Sequence, residues 1–438
     1  MLITCFLLFF AFVAACLVTG WNVTWALAGG LLVFWLRGIK MGFTNRQLWD
    51  MAWAKCKKSL IVVTIIMLIG VITGLWRCSG TIAGCIVWGV GLITPQLFLV
   101  IAFLLCAALS YVLGTSYGVC STMGVILMAL ARSGGVDIAI AAGAVLSGAY
   151  FGDRCSPASS AASLVAAVTE TDLYTNVRQM LRTGFLPTAI TVAVFTALSF
   201  FNPMGQMDEE VLVALKSNFS ISWPVLLPAI VMFLLPLFKV PIKLSMAASI
   251  LVAAVVGSVV QGFTVPELLK AAWSGYHPAD AGLEAVLGGG GITSMATSYV
   301  LVAVAGLYSG VLEGTSALAP LDHHVERMAS RIGCFPTMAV VSALVAAVLC
   351  NQAVTSMMSQ QLMGKLYDNK EELAIDIENS GILIAGLIPW SIACSIPLAM
   401  LGADNRAILY AVLLWAIPIC YFFTRRFFYP SHFPSSKE

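Results

Sequence analysis

The sequence predicts an all-α membrane protein, a polytopic bundle of about 11 to 13 transmembrane helices arranged as two structural repeats. Of its 438 residues, 60% are hydrophobic and only 10% are charged, whereas a soluble domain carries about 25% charged residues. The apolar runs are continuous, while the strands of a membrane β-barrel alternate apolar and polar residues over about ten positions. Because a bilayer offers no water to the backbone, continuous apolar runs favour helices.

The predicted spans follow one another along the chain, which forms a single transmembrane domain, residues 1–438. About 20 consecutive apolar residues make one crossing, so the shorter runs are predicted to be pieces of broken or re-entrant helices. The runs are 2–19, 21–36, 60–76, 80–94, 96–113, 119–131, 136–151, 185–201, 225–238, 245–262, 294–312, 335–350, 382–401 and 407–423.

Basic residues predict the orientation, because short loops rich in Lys and Arg face the cytoplasm. Residues 1–58 are predicted to form a helix hairpin followed by a basic cytoplasmic loop. Arg425 and Arg426 follow the last span, so both termini are predicted to be cytoplasmic. Arg77, just after the span at 60–76, is the basic residue that does not fit this orientation. The first run lacks the basic leader of a cleaved signal peptide and is predicted to remain as a span. The basic residues of the loop are Arg37, Lys40, Arg46, Lys55, Lys57 and Lys58.

Three short landmarks recur in the same order, which predicts an internal duplication. Segment 114–116 (G-T-S) recurs at 314–316, the interrupted segment 149–153 corresponds to 348–352, and 184–187 corresponds to 386–389. The offsets lie between 199 and 202 positions. Hydrophobic segments interrupted by Gly and Pro at matching places of two halves indicate a transporter binding site. The halves are approximately 60–201 and 245–423, and an odd number of crossings between them would make the repeats inverted.

Residues 148–160 carry the most informative chemistry. Gly152 and Pro157 are predicted to break an apolar helix and free backbone carbonyls, and Asp153 adds a carboxylate at membrane depth. Hard cations take oxygen ligands, so a carboxylate that binds either Na⁺ or H⁺ would couple the two fluxes by competition. An Asp153–Arg154 ion pair that only fixes the interruption is the alternative. The hydroxyl ligands predicted beside the carboxylate are Ser156, Ser159 and Ser160.

The corresponding interruption in the second half offers amide and hydroxyl oxygens but no acid, so the two half-sites would be asymmetric. Hydrogen bonding between helices is the alternative role for these groups. The G-T-S landmarks either line the cavity or cap helices. Glu313 is a second candidate for proton or cation coupling, or an interfacial carboxylate that faces water. The predicted polar groups are Asn351, Gln352, Thr355 and Ser356 at the interruption, and Thr115 and Ser116, with Thr315 and Ser316, at the landmarks.

The remaining polar clusters are predicted to lie at the surface. Residues 322–331 include His323 and His324, but adjacent histidines on a helix point in different directions, so a basic amphipathic connector is favoured over a metal site. Glu378 and the acidic residues at 371–376 are likewise predicted to be at the surface, although segment 378–381 leads into the apolar run at 382 and could reach the cavity. The 12 cysteines are scattered through apolar runs and are predicted to be buried thiols.

The sequence around Asp153 resembles a known family. Residues 148–160 are similar to the G-A-Y-F-G-D-K-x-S-P-x-S segment of the NhaC family of sodium/proton antiporters. Residues 114–118 look like its G-T-S-W-G, and residues 378–390 look like its E-D-x-G followed by L-I-P-W. The resemblance implies Na⁺/H⁺ exchange across a bacterial inner membrane, inverted repeats with broken helices, and an ion near Asp153 and Ser156. The family commonly has S-D-T-T where this chain has S-S-A-A at 159–162, and Asn379 replaces another acid.

Two functions stay open on the sequence alone. The first is Na⁺/H⁺ antiport, and the second is exchange of a small organic acid or amino acid coupled to Na⁺ or H⁺. An enzyme is not indicated, because no H-E-x-x-H motif or nucleophile with its base is present, and no ATP-binding motif indicates a primary pump. The expected partners are the transported ions and the lipid bilayer, with a homodimer left open; no cofactor and no nucleic acid are expected.

Overall fold

A computed structural model gives the fold of the chain. It describes residues 2–19, 21–92, 94–205, 209–238, 240–280, 283–284, 287–315 and 322–429. Within these ranges the regular structure is helical, and the one β contact is an isolated bridge between Tyr276 and Gly289. The predicted all-α class is confirmed.

Helices in the first part of the chain follow the apolar runs closely. α1 covers the whole predicted first span, and α5 and α8 end at or just beyond the predicted ends. A π-helical turn, Cys120–Gly124, joins α6 to α7. The helices are α1 (Leu2–Thr19), α2 (Thr24–Lys40), α3 (Asn45–Cys78), α4 (Thr81–Leu92), α5 (Phe98–Leu113), α6 (Ser116–Val119), α7 (Val125–Ser133), α8 (Ile138–Cys155), α9 (Ser160–Thr169) and α10 (Leu173–Phe201).

The second part of the chain is also built from apolar helices with short connectors. One of the connectors is α16, which matches the amphipathic helix predicted at residues 322–331. The side chains of Asp322 and His323 lie outside the described part of the structure. The helices are α11 (Glu209–Asn218), α12 (Leu227–Leu237), α13 (Ile242–Val259), α14 (Val265–Ser274), α15 (Ala296–Gly314), α16 (Asp322–Ile332), α17 (Cys334–Leu349), α18 (Gln352–Met363), α19 (Lys370–Glu378), α20 (Gly381–Ala385), α21 (Ile392–Leu401) and α22 (Val412–Phe428).

Several helices are long and apolar enough to cross a bilayer unaided. Among the described residues these are Pro95–Leu113, Leu173–Phe201, Ile242–Val259 and Ile292–Gly314. A pair of apolar helices, Val63–Cys78 and Thr81–Gly89, is bent by 67° at a short break, as in a broken span or a re-entrant loop. Other apolar helices are shorter than a bilayer crossing, so the count of about 11 to 13 crossings stays a prediction.

Two predicted boundaries are wrong. The basic segment after α2 is mostly not a loop, because α3 begins at Asn45 and carries four of its six basic residues into a 34-residue helix. A capping box between Thr44 and Gln47 starts this helix, a signal that the sequence already contains. The single span predicted at 382–401 is two helices, α20 and α21, separated by residues 386–391.

The third repeat landmark also differs between the two halves. Gly184 and Pro187 lie inside the continuous α10, whereas Gly386 and Pro389 lie between α20 and α21. The first landmark does match, since Gly114 caps α5 and Gly314 is the last residue of α15. The duplication therefore stays a prediction.

Acidic residues predicted at the surface of α19 are instead partly buried. Glu371 is exposed, but Glu372 and Asp376 are buried and both pair with Arg425 of α22. Arg425 lies 2.9 Å from Asp376, whose oxygens also accept hydrogen bonds from two tyrosine hydroxyls. The prediction that these acids lie at the surface is wrong because hydropathy contains no information on their pairing with a buried arginine.

Candidate ion-binding site

Four interruptions of apolar helices meet near the end of α8. Gly114 ends α5 and Cys350 ends α17, both in the left-handed conformation, with φ of 65° and 57°. The other two are residues 156–159, before α9, and residues 386–391, between α20 and α21. A Cβ on Gly114 would lie 2.4 Å from the carbonyl carbon of Ala158, and the Cys350 carbonyl accepts a bond from Ile392 N–H at 2.9 Å. The interruptions thus contact each other in pairs.

Asp153 lies in the last turn of α8 and joins the two pairs. Its side chain is buried, and Oδ2 accepts hydrogen bonds from Ser116 Oγ at 3.1 Å and Gln352 Nε2 at 3.3 Å. The Ser159 hydroxyl donates to its backbone carbonyl. All three partners are neutral, so within the described chain the carboxylate is hydrogen-bonded but its charge is not neutralised by an ion pair.

Glycines bring α5 and α8 into backbone contact beside this carboxylate. A Cβ on Gly152 would lie 2.0 Å from the carbonyl carbon of Ser110, and one on Gly148 would lie 2.5 Å from a carbonyl oxygen of α5. This spacing is the small-xxx-small pattern that lets membrane helices approach closely. The prediction that Gly152 breaks the helix is wrong, since α8 continues to Cys155. Gly152 instead makes room for α5.

The interruption after α8 is fixed by its own serines. Ser156 Oγ donates to the Tyr111 carbonyl at 2.6 Å and accepts from the Ala158 N–H at 3.0 Å. Ser159 caps α9 by accepting from the first backbone N–H groups of that helix. Ser160 begins α9 and is exposed. Of the three predicted ligands, Ser159 therefore contacts Asp153, through its hydroxyl and the backbone carbonyl of Asp153. Ser156 supports the turn.

Arg154 does not pair with Asp153, its neighbour in sequence. It is fully buried, and its guanidinium donates to Asn379 Oδ1, to the Thr183 hydroxyl at 3.0 Å and to the Met180 carbonyl at 3.0 Å. These partners belong to α10 and to the segment after α19. The ion pair considered as an alternative role for Asp153 is therefore not formed.

Glu378, predicted at the surface, is buried at the end of α19. Neither carboxylate oxygen has a hydrogen-bond partner within the described chain. Arg154 and Asp153 are the charged groups close enough to act on it electrostatically. An isolated ionised carboxylate in an apolar interior is very costly, so this group requires a proton, a cation or water.

The second interruption contributes one direct ligand to Asp153. Asn351 caps α18 through the Val354 N–H, while Gln352 reaches the carboxylate. Thr355 and Ser356 are buried, and their hydroxyls donate to backbone carbonyls four residues earlier. Thr115 similarly caps α6. The capping alternative thus accounts for Thr115, and Ser116 is the member of that landmark that reaches Asp153.

Glu313 is placed apart from this group. Its carboxylate lies 2.7 Å from Lys55 Nζ of α3 and accepts from the Ser309 hydroxyl at 3.1 Å. Thr315 follows the end of α15 and donates to the Val311 carbonyl. Ser316 lies outside the described residues.

The length of α10 indicates the depth of the site. At 1.5 Å per residue, this 29-residue helix extends about 43 Å, more than the roughly 30 Å of the hydrocarbon core. Arg154 contacts α10 at Met180 and Thr183, about 10 to 15 Å from the start of the helix. The contact therefore lies between the two ends of a membrane-spanning helix.

Metal-ligand clusters are not found in the part of the chain that the structure describes: no three of its His, Cys, Asp and Glu side chains converge. The arrangement around Asp153 instead offers one carboxylate, hydroxyls, an amide and backbone carbonyls. Such a set suits a monovalent ion that binds and leaves.

Comparison with known proteins identifies the family. The model of the "Na+/H+ antiporter family" matches residues 1–162 and 148–424. The chain belongs to the Na⁺/H⁺ antiporter family. It is accordingly a multi-pass membrane transporter and not an enzyme.

The names of the relatives of this Na⁺/H⁺ antiporter family member give different transported substrates. The chain is 28% identical over 376 residues to the malate-2H(+)/Na(+)-lactate antiporter of Bacillus subtilis (82% of this chain, 80% of the relative). It is 28% identical over 355 residues to the Na(+)/H(+) antiporter NhaC of Alkalihalophilus pseudofirmus (78% and 76%). It is 26% identical over 366 residues to the arginine/ornithine antiporter ArcD of Halobacterium salinarum (80% and 75%).

Two residues of this candidate site are not among the ligands that the sequence predicts. Glu378 is predicted at the surface by default, although Ile375 and Ile377 precede it and the E-N-S-G segment at 378–381 resembles a family motif. Asn379, noted only as a lost acid, is the main partner of Arg154. An amide at that position accepts from the guanidinium without adding negative charge.

Proposed function

We propose that the chain exchanges Na⁺ for H⁺ by competition of the two ions at Asp153. The observation that carries this proposal is the burial of Asp153 between two neutral donors, Ser116 and Gln352, at the meeting point of helix interruptions. A carboxylate in this setting is stabilised by either a bound cation or a proton. The two ions exclude each other there, which couples their movements.

Charge balance supports the competition. Arg154 and Asp153 both act electrostatically on Glu378, and the hydrogen-bond partners of Arg154 are neutral. With both acids ionised, the three side chains carry one net negative charge. A single Na⁺ or a single proton neutralises it, and a buried net charge is otherwise unfavourable.

A flux assay tests this function directly. Proteoliposomes with an imposed pH gradient, acidic inside, are expected to lose this gradient when Na⁺ is added outside. Inward movement of Na⁺ drives H⁺ out through the same site. Asp153→Asn is expected to abolish the response, while Asp404→Asn, at an exposed ion pair with Arg406, retains it. Full exchange by Asp153→Asn would remove this carboxylate from the mechanism.

Exchange of an organic acid or amino acid is the second candidate. Two relatives, named for malate/lactate and arginine/ornithine exchange, favour it. The same proteoliposomes distinguish the candidates when malate, lactate or arginine replaces Na⁺ as the added solute. Dissipation by one of these solutes, with none by Na⁺ alone, would support the second candidate.

The membrane and its sidedness are part of the proposal. The basic residues at the start of α3 and at the end of α22 support cytoplasmic termini in a bacterial inner membrane. Protease accessibility of terminal tags in inverted and right-side-out vesicles tests this orientation. A homodimer stays a prediction.

A further inference from the structure

An arginine-lined cavity lies away from Asp153. Its volume is about 360 Å³, and it is lined by residues of α3, α7, the end of α21 and the glycine-rich segment before α15. Two guanidinium groups line it, those of Arg77 and Arg132. Arg132 comes six residues before the start of α8, and α8 then extends about 22 Å to Asp153. The cavity is therefore a separate location from the candidate ion site.

Arg77 is held at the cavity with one donor unused. Nη1 donates to the Thr73 carbonyl at 2.7 Å, whereas Nε is buried without a hydrogen-bond partner in the described chain. Gly290 permits this position, since its φ is 81° and a Cβ there would lie 2.9 Å from Nη1. Nε is closed to the cavity, so what Arg77 offers to a ligand there is the positive charge of its guanidinium and not this donor.

Arg132 adds a second positive charge, and within the described residues no acid forms an ion pair with it. Its Nη2 donates to the carbonyls of Leu401 at 2.8 Å and Gly402 at 3.2 Å, which are neutral groups. Arg132 and Arg77 are close enough to repel each other, and Glu284 is the acid that acts on Arg77. One oxygen of that carboxylate lies 2.8 Å from His277 Nδ1, and the other is buried without a hydrogen-bond partner in the described chain, so one acid stands near two guanidinium groups.

We propose that this cavity binds the carboxylate of a small organic acid. Guanidinium groups match carboxylates through paired, parallel hydrogen bonds, and two of them repel Na⁺ instead of attracting it. The volume lies at the lower end of the roughly 300–1,000 Å³ of small-molecule sites, which suits a short mono- or dicarboxylate. Ser294 and Thr73 line the same cavity and offer further polar contacts.

The proposal goes beyond Na⁺/H⁺ exchange and does not depend on it, and for the second candidate function it adds a binding site for the organic acid. Binding is measured at equilibrium, with purified full-length protein in detergent at fixed pH and fixed Na⁺, by calorimetry and by the shift of the unfolding midpoint. The probes are L-malate and L-lactate, with dimethyl malate, chloride and inorganic phosphate as controls. We expect saturable binding of at least one of the two acids and none of the neutral ester.

Variants connect the binding to the cavity. Arg77→Gln and Arg132→Gln are each expected to weaken it by at least about tenfold, the loss expected for charge-assisted hydrogen bonds. Arg132→Lys, which keeps the charge, should bind with intermediate affinity and serves if Arg132→Gln fails to fold. Arg406→Gln, at an exposed ion pair, should bind like the wild type.

Three outcomes would overturn the proposal. The first is that neither acid binds saturably, and the second is that both glutamine variants bind with unchanged affinity. The third is that phosphate and chloride bind as tightly as the organic acids, which would indicate a general anion site. None of these bears on the Na⁺ flux assay, and loss of flux in Asp153→Asn does not bear on acid binding. The two proposals can therefore fail separately.

Discussion

Gln352 donates a hydrogen bond to Asp153 across 3.3 Å, although 199 positions separate the two residues. They lie in the two interrupted segments that the sequence pairs as halves of a duplication. Gln352 Nε2 also reaches the Ile382 carbonyl at 3.3 Å. One amide therefore ties the carboxylate on α8 to α20, and a relative movement of these elements would alter the ligands around Asp153.

Removal of this amide is expected to weaken Na⁺ exchange. In Gln352→Leu the ionised carboxylate keeps only the Ser116 hydroxyl of its two side-chain donors, so the cation-binding form is less stable. A hydrogen bond to a charged group contributes roughly 1.5–3 kcal/mol, so the Na⁺ concentration for half-maximal exchange should rise about tenfold or more. Gln361→Leu, at an exposed position of the same helix, is the control. An unchanged Na⁺ dependence would separate this amide from the site.

Glu378→Gln tests the charge balance of the buried group. Without this acid, Arg154 alone balances Asp153, and the group no longer needs a cation or proton for neutrality. We expect exchange to fall at least about tenfold in the proteoliposome assay while the protein still folds, because glutamine has nearly the same shape. Glu371→Gln, an exposed acid on the same helix, should retain full exchange. Wild-type activity of Glu378→Gln would exclude Glu378 from coupling.

Much of the helix pattern could be predicted, because the lipid environment imposes it directly. The first apolar run coincides with α1, and the run at 96–113 ends with α5. Helix termini set by local hydrogen bonds were missed where hydropathy alone was used, as at the capping box of Thr44 and Gln47. Asp153 and Gln352 were both selected from sequence, since polar groups at helix interruptions in lipid need a role.

The partners of the buried charges could not be predicted. Arg154 and Asp153 are adjacent in sequence, yet their side chains leave α8 in different directions and meet different helices. Glu378 and Asp376 sit on one short helix, where an acidic run resembles a solvated surface. Only the tertiary packing shows that Arg425 compensates Asp376 and that Glu378 has no hydrogen-bond partner in the described chain.

Gly152→Ala is expected to separate α5 from α8. The new Cβ would lie 2.0 Å from the Ser110 backbone, which cannot yield as a flexible side chain would. Overpacking typically costs about 1–3 kcal/mol, so the unfolding midpoint in detergent should fall and exchange should be impaired. Gly89→Ala, whose Cβ would meet Leu130 at an ordinary 3.4 Å, is the matched control. Equal midpoints for the two variants would contradict the close packing.

His277 predicts a small pH dependence of stability in the segment between α14 and α15. The hydrogen bond that His277 donates to the Glu284 carboxylate, helped by one to the Ser274 carbonyl, raises the pKa of His277 above its ordinary 6.5. A raised pKa means that the contribution is complete below pH 6.5 and is lost as pH rises through the folded-state value. His277→Gln should therefore lower the unfolding midpoint at about pH 5.5 and have no effect at about pH 8.5. The difference should be small, because the pair is exposed.

Arg425 is expected to be essential for stability, in contrast to the next residue. Arg425→Gln leaves Asp376 and Glu372 buried without their cation, and breaking a buried pair in this way costs about 3–5 kcal/mol. The unfolding midpoint in detergent should fall sharply, whereas Arg426→Gln, at an exposed position, should leave it nearly unchanged.

A compensating variant separates the charge effect from a loss of packing at the same cluster. Adding Glu372→Gln and Asp376→Asn to Arg425→Gln removes the uncompensated acids, while amide oxygens remain to accept from the Tyr367 and Tyr421 hydroxyls. The triple variant should recover most of the lost midpoint, because a neutral cluster avoids the cost of buried charge. If it unfolds as early as Arg425→Gln alone, the contribution of Arg425 lies in the packing of its side chain and not in its charge.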